Sequence, residues 1–166
     1  MDYSDKILYQ IDYINSLLND YNEKPILENE NFTLDEMSWA EYLKVTFRKT
    51  NSISFDLICS STDFQLNVDR ANEVVDLMLD DFDKNKETIR AFFNCLFVCK
   101  VKIEYCGSNY TKIFFYNDKG SCIKTLKYVT GLYLKFGCRI KEYPPIFTLQ
   151  ITPQNQKNRV EYLDRT

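Results

Sequence analysis

The chain has 166 residues, 45% of them hydrophobic and 27% charged, with a net charge of −3; this is the make-up of a globular domain, not of a fibrous or disordered chain. It contains no histidine, which excludes Ser–His, Cys–His and imidazole-based acid–base mechanisms together. No apolar run approaches the ~20 residues of a membrane helix, and the N-terminus has no basic start followed by an apolar stretch.

In chain order, residues 4–20 place Ile7, Ile11, Ile14 and Leu18 at helical spacing, with Leu8 and Leu17 widening the stripe. Ser4 and Asp5 supply cap chemistry at the start, and Pro25 with the polar run after it ends the helix. From Trp39 the period changes to two. Leu43, Val45 and Phe47 alternate with Lys44, Thr46 and Arg48, then Ile53, Phe55 and Leu57 with Ser54 and Asp56, joined at the turn-prone Thr50–Asn51–Ser52. A third strand carries Phe64, Leu66 and Val68.

Residues 71–82 fit two periods: Val75, Leu77 and Leu79 alternate, while Val74, Met78 and Phe82 lie four apart. The four-residue spacing favours a helix there. Residues 86–97 read as a helix burying Ile89, Phe92, Phe93, Leu96 and Phe97. Four strand-like runs follow at 98–106, 111–118, 121–129 and 132–143, with a hairpin turn at Asn117–Gly120. The expected architecture is therefore one α+β domain over residues 1–153, with a largely antiparallel sheet of about six to seven strands. An N-terminal amphipathic helix and one or two central helices complete it, and a polar tail over 154–166 follows.

The stretch "LDDFDKNKET" (79–88) most resembles a site, because Asp81, Asp83 and Asn85 alternate as at the start of an EF-hand loop. That loop needs Gly at its sixth position and a bidentate Glu at its twelfth. Counted from Asp81, those positions hold Lys86 and Phe92. Acids at a helix start are accounted for by the helix dipole instead. A Mg²⁺-dependent carboxylate enzyme remains as a further alternative, since Mg²⁺ takes only one or two protein carboxylates. The six cysteines form no C-x-x-C pair and read as free buried thiols, Cys99 beside Lys100 included. A metal site drawn from Cys95, Cys99, Cys106 and Cys122 lacks the spacing zinc usually takes. No cofactor is expected.

Charge is divided sharply along the chain. Residues 1–83 hold 18 Asp/Glu and 6 Lys/Arg, and residues 84–166 hold 6 and 15. Asp20, Glu23, Glu28, Glu30, Asp35, Glu36 and Glu41 form one acidic block with Lys24 alone among them. Asp63, Asp69, Glu73, Asp76, Asp80, Asp81 and Asp83 form a second, with Arg70 alone. In the basic half, Lys100, Lys102, Lys112, Lys124, Lys127, Lys135, Arg139 and Lys141 are interleaved with Tyr116, Tyr128 and Tyr133.

These features point to a non-catalytic cytoplasmic protein that occludes another protein, a cationic toxin or enzyme. The partner-binding residues expected on this reading are Glu36, Trp39, Glu41, Asp69, Glu73, Asp76, Asp80, Asp81, Phe82 and Asp83, with Trp39, Tyr42 and Phe82 as aromatic anchors. The profile resembles bacterial immunity proteins, which are acidic, compact and free of catalytic motifs. The likeness is one of type and carries over no residue. Abundant Lys, Asn, Ile, Tyr and Phe fit the AT-rich genome of a bacterium or phage. Single-stranded nucleic-acid binding by the basic sheet face is the second reading, and no membrane partner is expected.

Overall fold

The first helix, α1, spans Asp5–Asn19. Ser4 caps it by accepting from the Ile7 N–H, and its buried stripe is Ile7, Gln10, Ile11, Ile14, Leu17 and Leu18. The structure, a computed structural model, describes residues 4–37, 42–69, 71–107, 110–129 and 137–147. The chain divides into two compact units, Met1–Arg90 and Ala91–Thr166.

In the first unit, β1 (Phe32–Met37), β2 (Tyr42–Phe47), β3 (Phe55–Ser60), β4 (Asp63–Val68) and β5 (Ala71–Met78) form an antiparallel meander in sequence order. Residues on one face are matched in register across all five strands, as in Leu34–Val45–Leu57–Leu66–Val75. Val45, Leu57 and Leu66 in that row are fully buried. Phe47 stacks on Phe55 with centroids 4.8 Å apart, and Gln10 Nε2 donates to Ser60 O at 2.7 Å, tying α1 to β3. The turns fit their residues. Asn51 and Asp69 take positive φ of 61° and 50°, a region their short polar side chains tolerate.

Residues 71–78 correct the helix expected there. They form edge strand β5, and only Leu79–Phe82 is helical (α2). The alternation of Val75 and Leu77 followed the sheet, whose row partners Leu66 and Phe64 demand period two. α2 passes through a short 3₁₀ turn at Asp83–Asn85 into α3, Lys86–Val98. Ile89, Phe92, Phe93, Leu96 and Phe97 are all buried, as their spacing predicts. β1 is a strand the sequence reading passed over.

The second unit holds a four-stranded antiparallel sheet in the order β8-β7-β6-β9. Its strands are β6 (Lys100–Cys106), β7 (Tyr110–Tyr116), β8 (Cys122–Val129) and β9 (Cys138–Tyr143). The β7–β8 turn is the one expected: Asn117 Oδ1 accepts from the Lys119 and Ser121 N–H groups, and Gly120 adopts φ 74°. The α+β class and the antiparallel pairing stand, with nine described strands divided between two sheets.

β9 returns to pair with β6, and a Cys106–Cys138 disulfide joins registered partners there. This corrects the expectation of six free thiols; Cys59, Cys95, Cys99 and Cys122 are the free cysteines. The spacing of cysteines in sequence did not reveal the pair because 32 residues separate them. Disulfides are rare in cytosolic proteins, so the bond counts against the cytoplasmic placement. No described helix is long and apolar enough to cross a membrane. The tail over 154–166 lies outside the described residues.

Candidate functional site

Strand alternation in the first unit sends one set of side chains inward and leaves the other on an open face. On that face the rows are Asp35–Lys44–Ile58–Gln65–Asp76 and, one step on, the pairs Tyr42–Ser60 and Asp63–Met78. Asp56 lies on the same face, opposite Thr46. Four carboxylates therefore share one sheet face with a single lysine, and Lys44 Nζ is committed to Asp56 at 3.1 Å. Asp35 and Asp76 are exposed at the two edge strands. Ile58 and Tyr42 are half-buried between them, and Met78 is 64% exposed.

Asp63 is built into the β3–β4 turn. Its N–H donates to Ser60 Oγ at 2.9 Å, and its carboxylate accepts from Thr62 Oγ1 at 2.7 Å and from Ser60 Oγ. These bonds orient the carboxylate toward the turn.

The predicted partner-binding residues fare unequally. Asp76 lies on the acidic face. Asp80 is exposed on α2. Asp81 and Asp83 are exposed but ion-paired, to Lys84 and Lys86 at 2.8 Å each. Asp69 sits in the β4–β5 turn, where its N–H donates to Ser54 O at 3.0 Å. Glu36 stands in register opposite Leu43, and Glu73 belongs to β5. Trp39 and Glu41 lie outside the described residues. Phe82 is corrected from anchor to core: it is 0% exposed and packs edge-on to Tyr13, Phe64 and Tyr9 at 5.2–6.0 Å.

The D-x-D-x-N stretch resolves into local pairs. Asn85 Nδ2 donates to Asp81 O at 2.9 Å. Lys86 Nζ reaches Asp83 Oδ1 at 2.8 Å and Tyr9 Oη at 2.5 Å, and lies 4.5 Å from the Tyr9 ring centroid. Tyr9 Oη also donates to Asp83. The Lys86 bond, then the Tyr9 bond, hold the Asp83 carboxyl below its ordinary pKa, and the same contacts raise Lys86. A lysine so raised is a fixed cation and a poor proton shuttle. Among the described residues no three Cys, Asp or Glu are gathered as a metal-holding group.

The cysteines offer little nucleophilic chemistry. Burial, with the Asp63 charge nearby, pushes the Cys59 thiol up to about 12. Cys99 is buried as expected, and its bond to Cys95 draws the Cys95 thiol down. Cys106 is in the disulfide, so the set Cys95, Cys99, Cys106 and Cys122 cannot provide four thiolates.

In the second unit the open sheet face is the reverse in sign. β6 contributes Lys100, Lys102 and Glu104, β7 contributes Lys112, Phe114 and Tyr116, β8 contributes Lys127, and β9 contributes Glu142. Lys100 pairs with Glu142 at 2.6 Å and Lys102 with Glu104 at 2.8 Å. Lys124, Tyr128, Arg139 and Lys141 fall on the opposite face by alternation, which the sequence alone did not sort. The Tyr128 hydroxyl is pushed up to about 12 by burial. Lys135 and Tyr133 lie outside the described residues.

Asp35 and Asp63 belong to the two acidic blocks read from the sequence but were not among the predicted partner-binding residues, and Asp56 was in neither. Their signal was present: each occupies the polar phase of an alternating strand, the same phase as Lys44 and Asp76 once register is known. No family model, curated protein or solved structure matches this chain.

Proposed function

We propose that this chain is a non-catalytic protein-binding protein of the immunity or antitoxin type, which occludes a cationic partner with the acidic face of its five-stranded sheet. The supporting observation is the set of carboxylates Asp35, Asp56, Asp63 and Asp76 on one face, where Lys44 is the one lysine among the described strand residues and is paired to Asp56. Ile58, Tyr42 and Met78 lie among those acids, giving the apolar centre and polar border usual in protein interfaces. The acids speed encounter with a positive surface, while the apolar residues supply contact that survives salt. Two edge strands bound this face, and exposed aspartates at both keep it from pairing with another sheet.

The test uses the full chain and its Asp35→Lys/Asp76→Lys variant as baits. A partner held one-to-one by the parent chain should associate about tenfold or more slowly with the variant at low salt, and the gap should close as salt rises. A stoichiometric partner whose association rate is the same for both baits would remove this face from the binding site.

A further inference from the structure

We propose that the second unit carries a separate site, for single-stranded nucleic acid, on the open face of its four-stranded sheet. The platform is β7. Phe114 and Tyr116 are half-exposed neighbours with centroids 6.4 Å apart and planes 27° from parallel. Two rings presented side by side on a sheet accept stacked bases of any identity. Lys112 Nζ lies over the Phe114 ring at 4.4 Å and Lys102 Nζ at 5.3 Å from its centroid, so a base that stacks on this ring displaces the cations toward its own phosphates.

Two further features favour a ligand over a merely solvated surface. Lysines protect sheets from aggregation at edge strands, but β6 and β7 are the two interior strands of this sheet. Lys112, which faces Glu104 across β6, stands directly opposite Lys127 on its β8 side, a like-charge pairing that a phosphate between the two lysines would relieve. The unit's sequence supports the same sign, with 12 Lys/Arg against 5 Asp/Glu over residues 91–166. At physiological salt, charges beyond about 8 Å are largely screened, so this local excess matters more than the chain's net −3.

A cleft of about 620 Å³ opens at one end of the platform, lined by Tyr116, Lys100, Lys102, Asn117 and Glu142 among others. Its volume is that of a small-molecule pocket. A base beyond Tyr116 fits there, with the amide of Asn117 and the carboxylate of Glu142 as edge partners. Glu142 is held by an exposed pair with Lys100, worth little in water, so phosphate can take over Lys100 without a large penalty, whereas Lys102 is held by Glu104 in a half-buried pair.

The test is fluorescence anisotropy with end-labelled rU12 and dT12 and the full chain. Both strands should bind at 50 mM salt, and affinity should fall with a log–log salt slope of about −2 to −3 if the four lysines each meet a phosphate. Phe114→Ala should weaken binding about 5- to 150-fold, the loss of one stacked base. Phe114→Leu, which keeps apolar bulk, should weaken it too with an unchanged thermal unfolding curve, separating stacking from folding. Lys112→Glu/Lys127→Glu should lower both affinity and slope. Absence of binding by the parent chain at 50 mM salt, equal binding of a 12-base-pair duplex, or unaltered binding by Phe114→Leu would each overturn the proposal. Uridine monophosphate binding as tightly as rU12 would overturn it as well, because the cleft would then suffice without the strand. Failure here leaves the acidic face of the first unit untouched.

Discussion

The two units solve the same packing problem with opposite charge. Each lays an antiparallel sheet's apolar face inward and leaves a polar face open. In the first unit that face bears four aspartates and Lys44; in the second it bears four lysines with Glu104 and Glu142. Over whole units the balance is 19 Asp/Glu to 9 Lys/Arg against 5 to 12. The sheets also differ in how they are closed. The first is a plain meander in which every strand pairs with its sequence neighbours, whereas the second recruits β9 from a distance and ties it to β6 with a disulfide. Local pairing needs little beyond alternation and turns, but a distant strand must overcome a larger loop-closure cost.

The largest expected effect tests the meander's core. Phe64 is fully buried and 5.2 Å from Phe82 edge-on. Phe64→Ala should cost about 3–5 kcal/mol in urea unfolding, by lost transfer energy and a residual cavity. A loss under about 1 kcal/mol would mean that α1 and α2 do not pack on this sheet in solution.

The disulfide ranks close behind. Closing a loop across 32 residues is worth about 3–4 kcal/mol by the chain-entropy model. Cys106→Ser/Cys138→Ser should lower stability by that amount, while the same change at free, exposed Cys122 should leave it nearly unaltered. Mass spectrometry after alkylation of the unfolded, unreduced chain should count the four free cysteines; six labels would show that the pair is open and return the second unit to an unstapled sheet.

All four strands of the second sheet were legible as alternating runs, but only three of the meander's five, since β1 was passed over and β5 was read as a helix. The helix at 5–19, the hairpin of β2 and β3, strand β4 and the buried stripe of α3 were all readable, since each announces itself in a short window. Residues 71–78 were misread because Val74, Met78 and Phe82 mimic a helical face, and only the neighbouring strand's register decides between periods. Phe82 looked like an anchor beside its aspartates, yet a large aromatic in an acidic stretch is still driven inward when α1 and β4 offer a pocket. The candidate faces were half-visible. Charge division by half-chain was plain, but which acids share a surface depends on pairing, so Asp35 and Asp76 came together while Asp81 and Asp83 went to their own lysines.

A single substitution type can measure the charge contrast directly. Lys44 stands against Asp56, so Lys44→Glu should destabilise the first unit, by about 1 kcal/mol for a partly exposed pair. Lys127 on edge strand β8 stands opposite Lys112, so Lys127→Glu should instead stabilise the second by about 0.2–1 kcal/mol. Opposite signs for the same change, read as urea midpoints at low salt and converging at high salt, would establish that the two faces carry opposed fields. Matching signs would reduce the contrast to composition alone.

The smallest effects lie in the acid range, where each unit holds an exposed carboxylate drawn down by a lysine. Asp83 is drawn below its ordinary 3.8 by its bonds from Lys86 and Tyr9, and Glu142 below its ordinary 4.5 by Lys100. A carboxyl depressed in the folded state contributes stability that is complete above the unfolded value and is lost as pH falls through the folded one. Any contribution from these pairs therefore disappears only below about pH 4, and neutral pH leaves both intact. Carboxyl-carbon NMR titration should find both midpoints low. Lys86→Met should raise Asp83 alone and Lys100→Met should raise Glu142 alone. The Lys86 variant should recover less than the whole shift, because Tyr9 still donates to Asp83, whereas Glu142 has Lys102 only as a more distant charge. A full return of Asp83 to its ordinary value would mean that the tyrosine bond depends on the lysine, and the cluster at the start of α3 would then be one ion pair and not a three-membered network.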